Sequence, residues 1–215
     1  MGKEENLKRI IDCGVVSIIR VKSQEEAIKT VRAIKEGGID VIEVSVVTPG
    51  ALNVIKMTSE KFGDEVLIGV GTILDPETAR ASILSGAEFV IGPTLSRGVI
   101  KVCRRYSKIS IPGAFTPTEI LTAWELGADV VKVFPAAIVG PSYLRAVLGP
   151  LPQVRVLPTG GVNLNNAEEF IKAGSVAIAV GGALVDEKAV MEGRFEVITE
   201  NARRFLEAVK KARGK

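Results

Sequence analysis

The 215-residue sequence contains no histidine, two cysteines and one tryptophan, and each shortage narrows the chemistry open to it. Without histidine there is no imidazole to act as general base near neutral pH, to shuttle protons or to ligate a metal. Cys13 and Cys103 stand apart, outside any C-x-x-C spacing, so no zinc set or redox pair is encoded. Two buried free thiols are favoured over a disulfide. No apolar run approaches the roughly 20 residues of a membrane span. The opening Met1-Gly2-Lys3-Glu4-Glu5-Asn6 mixes charges where a signal peptide carries an apolar core. Aromatics make up 5% of the chain against 47% hydrophobic residues in all, which predicts an aliphatic interior. A net charge of +3, with Lys and Arg scattered among 25 acids, gives no basic face for nucleic acid. The closing run Lys210-Lys211-Ala212-Arg213-Gly214-Lys215 reads as a solvated helix end. The expectation is a cytoplasmic protein with no nucleic-acid or membrane partner.

What the chain does have is short runs rich in Val and Ile. Eight are strand candidates: Val15–Arg20, Asp40–Val46, Leu67–Ile73, Phe89–Pro93, Ser110–Ala114, Val130–Pro135, Arg155–Gly161 and Ala177–Gly182. Between them lie segments with helix punctuation. Ser23 with Glu26 forms a capping box and Gly37-Gly38 a stop; Thr48-Pro49 and Asp75-Pro76 each set a cap before a proline, with stops at Gly63 and Gly86. Thr116-Pro117-Thr118-Glu119 opens another helix that ends at Gly127, and Asn163 or Asn165 opens one that ends at Gly174. Strand, capped helix, glycine and strand, repeated eight times, predict a parallel α/β sheet closed as a (β/α)8 TIM barrel, with an open doubly wound sheet as the alternative. Residues 1–215 then form a single domain, with an extra helix over 1–12 and a closing one over 194–213.

Lys132 is the residue that calls for an explanation. It sits within Val130-Val131-Lys132-Val133-Phe134-Pro135, a run of the kind buried on both faces. A desolvated lysine loses its proton more readily, and a neutral amine is a nucleophile toward carbonyls. Alternation puts Phe134 on the same face as Lys132 and the valines on the other. A lysine snorkelling from a strand end is the bland alternative. Val41, Glu43 and Ser45 share a face of the second strand, and even-numbered strands contribute to one layer of a barrel interior, so Glu43 and Lys132 are expected near the axis together. They act there as a catalytic pair or as a buried ion pair without function. Arg20, ending the first strand, suits a substrate carboxylate, or is a surface residue beginning a loop. Thr159-Gly160-Gly161 and Gly181-Gly182 follow the last two strands, where barrels often bind phosphate, although glycines also mark tight turns. Thr72 and Pro93 are weaker candidates for the same mouth. Together these residues describe imine chemistry on a small oxo-acid with a remote phosphate.

Five ordered blocks carry a family resemblance: Ile42-Glu43-Val44, Gly69-Val70-Gly71-Thr72, Pro112-Gly113-Ala114-Phe115-Thr116-Pro117-Thr118-Glu119, Lys132-Val133-Phe134-Pro135 and Pro158-Thr159-Gly160-Gly161-Val162. With them the chain resembles, over nearly its whole length, the class I 2-keto-3-deoxy-6-phosphogluconate (KDPG) aldolases, some of which cleave 4-hydroxy-2-oxoglutarate. The resemblance implies a homotrimeric (β/α)8 barrel of Entner–Doudoroff carbohydrate metabolism that acts on a 2-keto acid sugar phosphate without metal or other cofactor. It implies Lys132 as the Schiff-base lysine and Glu43 as the general acid/base. By the same resemblance, Thr72 matches a threonine that contacts the pyruvate portion, Pro93 and Phe134 match residues that pack around the imine, and Thr159 matches a position that influences stereochemical preference. Two positions depart from the pattern. Val47 stands where some members have an arginine for the carboxylate, and Ala183 where a serine often faces the phosphate. The phosphate then rests on backbone N–H groups. A galactonate-type aldolase, a phosphate-binding barrel isomerase or epimerase, and a barrel that merely binds a sugar phosphate are the rival readings.

Overall fold

A computed structural model describes residues 2–214. In order, the elements are α1 (Lys3–Cys13), β1 (Val15–Ile19), α2 (Gln24–Glu36), β2 (Val41–Ser45), α3 (Ala51–Phe62), β3 (Leu67–Gly71), α4 (Pro76–Leu84), β4 (Phe89–Ile91) and α5 (Arg97–Arg105). There follow β5 (Ile109–Ile111), β6 (Gly113–Ala114), α6 (Pro117–Glu125), β7 (Val131–Val133), α7 (Ala136–Leu148), β8 (Val156–Pro158), α8 (Ala167–Lys172), β9 (Ile178–Val180), α9 (Glu187–Met191) and α10 (Phe195–Ala212). Every strand pair is parallel. None of the described helices is long and apolar enough to cross a membrane.

The strands lie in two sheets, one ordered β5-β4-β3-β2-β1-β9 and the other β6-β7-β8, where the sequence predicts one sheet of eight. The fifth predicted strand is divided at Pro112. Proline lacks an N–H and cannot donate to a ladder. Ile111 O still accepts from Gly92 N at 3.1 Å on the β4 side, whereas Pro112 O accepts from Lys132 N at 2.9 Å on the β7 side. The chain thus changes partner at the proline. On the far side, β8 and β9 meet through Val176 N donating to Val156 O at 3.1 Å and a parallel bridge between Thr159 and Ala179.

Alternation along the strands sorts the core into two clusters. Ile42, Val44, Val70, Val90, Val131, Val133 and Val180 pack outward beneath the helices. Val16, Val41, Leu67, Phe89, Ile91, Ile109, Ile111 and Leu157 pack together on the opposite face, joined by Leu7 and Ile10 of α1. That helix lies at the N-terminal ends of the strands, where three of its side chains reach residues just ahead of one. Asn6 donates to Glu88 at 3.0 Å, Lys3 pairs with Asp129 at 2.8 Å, and Arg9 pairs with Asp40 at 2.7 Å.

Several helix starts differ from expectation. α3 begins at Ala51 rather than behind Thr48-Pro49, because Thr48 N donates to Ser45 O and Ala51 N to Thr48 O, forming a turn that ends at left-handed Gly50 (φ 68°). Ser23 caps α2, but the Glu26 carboxylate accepts from Lys22 N, not Ser23 N. Thr116 and Glu119 make a complete capping box. Asn166, not Asn163 or Asn165, precedes α8; Asn163 instead anchors a local turn through Asn165 N. Both cysteines are free, Cys103 buried and Cys13 half-buried, with burial pushing their thiols up to about 12 and about 11.

Ile10 is fully buried between α1 and the inner cluster. Ile10→Ala should therefore lower stability by about 2–5 kcal/mol, read as a fall in the thermal midpoint of about 2–4 °C per kcal/mol. An unchanged midpoint would mean that α1 does not close this end of the core.

Candidate active site

Two strands position the central pair. Lys132 is the middle residue of β7, opposite Gly113 and Leu157, and only 6% exposed. Its neighbours Val131 and Val133 belong to the outward cluster, so the lysine turns inward. Glu43 is the middle residue of β2, opposite Ile18 and Gly69, and 2% exposed. Both line one cavity of about 600 Å³. The snorkelling reading of Lys132 is excluded by its burial.

Two glycines of β3 create the room. A Cβ at Gly71 would lie 1.5 Å from Glu43 Oε1, and one at Gly69 would lie 2.4 Å from the Phe89 ring. Gly71 thus clears the space for the carboxylate, and Gly69 that for the aromatic floor. The sequence reading gave neither a role, although glycines two apart inside a strand mark a close approach on one face.

Lys132 and Glu43 do not form the buried ion pair considered from sequence. Among the described residues no hydrogen bond or ion pair joins them, and Glu43 Oε2 has no hydrogen-bond partner. They act on each other through space. Burial raises the Glu43 pKa to about 7, against the lowering pull of Lys132 and then Arg20. Burial lowers the Lys132 pKa, opposed by Glu43 and assisted by Arg20. A carboxyl near 7 populates both protonation states at neutral pH, as a general acid/base requires. The Phe134 ring covers the amine, with Lys132 Nζ 4.8 Å from its centroid.

The remaining sequence-predicted residues line the same cavity from the C-terminal ends of their strands: Arg20 after β1, Thr72 after β3, Pro93 after β4, Phe134 after β7, Thr159-Gly160-Gly161 after β8 and Gly181-Gly182 after β9. Arg20 is exposed at the mouth. Thr72 adopts φ 64°, uncommon for a β-branched residue, and its Oγ1 lies 2.7 Å from Ser45 Oγ. Packing accounts for part of the glycine signal, since a Cβ at Gly161 would meet Ala137 Cβ at 2.3 Å and one at Gly160 the Phe134 ring at 3.0 Å. It does not account for Gly182, where a Cβ would meet nothing within 4 Å. Among the described residues no backbone acceptor is found for the N–H groups of Gly161, Val162, Gly182 and Ala183. Glu187, not singled out from sequence, also lines the cavity and pairs with Lys22 at 3.0 Å. As an acid opening a short helix, it carried no signal of its own.

The raised pKa of Glu43 has a consequence for stability. Between its ordinary value of 4.5 and about 7, the folded chain holds a proton that the unfolded chain has released. Stability therefore falls as pH rises through that window, by on the order of 3 kcal/mol at about 1.4 kcal/mol per pKa unit. Glu43→Gln removes this loss. The variant should melt with the parent near pH 4.5 and roughly 5–10 °C above it beyond pH 7. A difference independent of pH would contradict the assignment.

The sequence matches the family model described as KDPG and KHG aldolase over residues 6–201. It is 34% identical over 206 residues to the 2-dehydro-3-deoxy-phosphogluconate aldolase of Treponema pallidum, covering 95% of this chain and 96% of the relative. It is 31% identical to the 2-dehydro-3-deoxy-6-phosphogalactonate aldolase of Escherichia coli, covering 91% and 96%. A crystal structure of the KDPG aldolase from Legionella pneumophila, with pyruvate captured as a covalent carbinolamine intermediate, superposes with a TM-score of 0.86 at 30% identity, covering 92% of this chain and 96% of that one. With its α/β fold of parallel strands and a buried lysine at the heart of its cavity, the chain belongs to the KDPG and KHG aldolase family, whose fold is that of the class I aldolases.

Proposed function

We propose that this chain is a class I aldolase that cleaves 2-keto-3-deoxy-6-phosphogluconate to pyruvate and glyceraldehyde 3-phosphate, with Lys132 forming the Schiff base and Glu43 moving the protons. One observation carries the reading. A buried lysine with a lowered pKa and a buried carboxyl near 7 share one cavity without neutralising each other by contact. The carbinolamine held by the Legionella relative supports the same covalent route.

In this mechanism the neutral Lys132 amine adds to the C2 ketone, and the carbinolamine loses water with Glu43 supplying and recovering protons, through a bridging water. The resulting iminium is an electron sink. Glu43 then takes the C4 hydroxyl proton, the C3–C4 bond breaks, and its electron pair moves into the iminium to give an enamine on Lys132. The aldehyde leaves; protonation of the enamine at C3 and hydrolysis of the imine release pyruvate and restore the amine. The same steps cleave 4-hydroxy-2-oxoglutarate to pyruvate and glyoxylate. A galactonate-type substrate differs in configuration at C4, where Thr159 is the candidate discriminator.

Arg20 and Thr72 hold the carboxylate, Pro93 and Phe134 flank the imine, and the loops of Gly160-Gly161 and Gly181-Gly182 take the phosphate on backbone N–H groups. Unpartnered N–H groups at Gly161, Val162, Gly182 and Ala183 support that last assignment. The two sheets are arcs of one (β/α)8 barrel, a reading supported by the bonds at Pro112 and between β8 and β9. The whole chain acts as one barrel domain, and as the cytoplasmic homotrimer that the family resemblance implies. Sedimentation should give the mass of three chains.

Pyruvate and borohydride together should fix one reduced pyruvyl group on Lys132, located by peptide mass mapping. No adduct, or an adduct on another lysine, overturns the mechanism. Gly71→Ala should cost about 100-fold in kcat, because a Cβ that displaces the Glu43 carboxylate by about an ångström misaligns the proton transfer. Unaltered turnover would remove Glu43 from the proton path.

A further inference from the structure

Thr72 is held more firmly than a residue that merely ends a strand. Among the described residues it is one of two non-glycine positions with positive φ, the other being Ser107 in a loop. A β-branched side chain keeps such a conformation only where its surroundings enforce it. Both flanks are clamped: Gly71 O accepts from Val46 N at 2.9 Å on the β2 side, and Ile73 N donates to Ile91 O at 3.1 Å on the β4 side. The backbone crosses from one neighbour to the other at Thr72. Its side chain is fixed by a separate contact, the 2.7 Å hydrogen bond with Ser45, in which either hydroxyl can donate. Ser45 is fully buried and stands opposite Gly71 on β2, two residues beyond Glu43 on the same face. Its hydroxyl has no other partner among the described residues.

We propose that Ser45 is a positioning residue: it donates to Thr72 Oγ1, fixes the Thr72 rotamer, and so leaves the Thr72 proton free to be donated to the carboxylate of a 2-keto acid bound on Lys132. The substrate half of this assignment rests on the aldolase reading. The chain of donors runs one way, from Ser45 to Thr72 to the anion, and each hydrogen bond strengthens the next. One strand thereby supplies both the proton-transfer group, Glu43, and the support for the carboxylate ligand. Thr72 touches substrate; Ser45 acts through it.

A mutant cycle separates this role from simple core packing. Ser45→Ala should lower kcat/KM for aldol cleavage roughly tenfold, the worth of about one hydrogen bond, mostly through KM. Ser45→Thr, which keeps the hydroxyl, should recover most of it. In a Thr72→Val background, Ser45→Ala should change kcat/KM by less than about twofold, because the group it supports is gone. Equal losses in both backgrounds, or no loss in the first, would overturn the role of Ser45. A second readout needs no turnover: three-bond couplings to the Thr72 methyl should report one rotamer in the parent and averaging in Ser45→Ala. An unchanged rotamer overturns the positioning role even if the chain is an active aldolase. A parent chain that forms no pyruvate adduct overturns the aldolase reading, and with it the substrate half of the proposal, while the rotamer measurement still decides whether Ser45 orders Thr72.

Discussion

Desolvation of Lys132 and Glu43 in a shared cavity, without the direct contact that would relieve it, constrains everything built around them. In contact, the two charges would stabilise each other and drive both pKa values apart, leaving an inert ammonium and an inert carboxylate. Held apart, each feels burial more than its partner, and the two pKa values move toward each other. This condition is costly, and the fold has to maintain it. Each residue is the middle of a strand whose flanking valines or isoleucines are locked into the helix-facing core, so neither backbone can shift toward the other. The cost is spread over the large aliphatic interior that the composition foretells.

The rest of the site follows from keeping that gap open. Gly71 supplies the volume that Glu43 occupies, and Phe134 covers the amine without offering a carboxylate. Arg20, at the rim, adds a positive potential that favours the charged form of Glu43 and the neutral form of Lys132. One cation at the mouth thus tunes two buried groups in complementary senses.

Much of this was legible because it depends on local periodicity. The alternation of Val131-Lys132-Val133 and of Ile42-Glu43-Val44 fixes which way each ionisable side chain points, and parallel strands bring their C-terminal ends to one face. What escaped the sequence depends on partners. Ser110–Ala114 reads as a continuous strand; that Pro112 divides it follows only from which neighbour each half pairs with. Gly69 and Gly71, two apart in one strand, mark a close approach, but which side chains approach depends on the register of β2 against β3, which no local pattern encodes. Thr48-Pro49 resembled a helix start because its residue types suit one, yet hydrogen bonds back to Ser45 turned it into a loop. The eleven residues singled out from sequence line one cavity, whereas Glu187 joined them without any signal, as an exposed acid would.

The inner apolar cluster, with Leu7 and Ile10 of α1 packed into it, fills the side of the strands opposite the loops. If, as proposed, a substrate is anchored on Lys132 with its far part toward the glycine loops, its fragments leave past those loops. The outer fragment has to go first, since it blocks the inner one. Release is then sequential by geometry alone, and in the reverse direction the inner fragment has to bind before the outer one. On the proposed mechanism, the apolar packing behind the site thereby sets the order in which the fragments come and go.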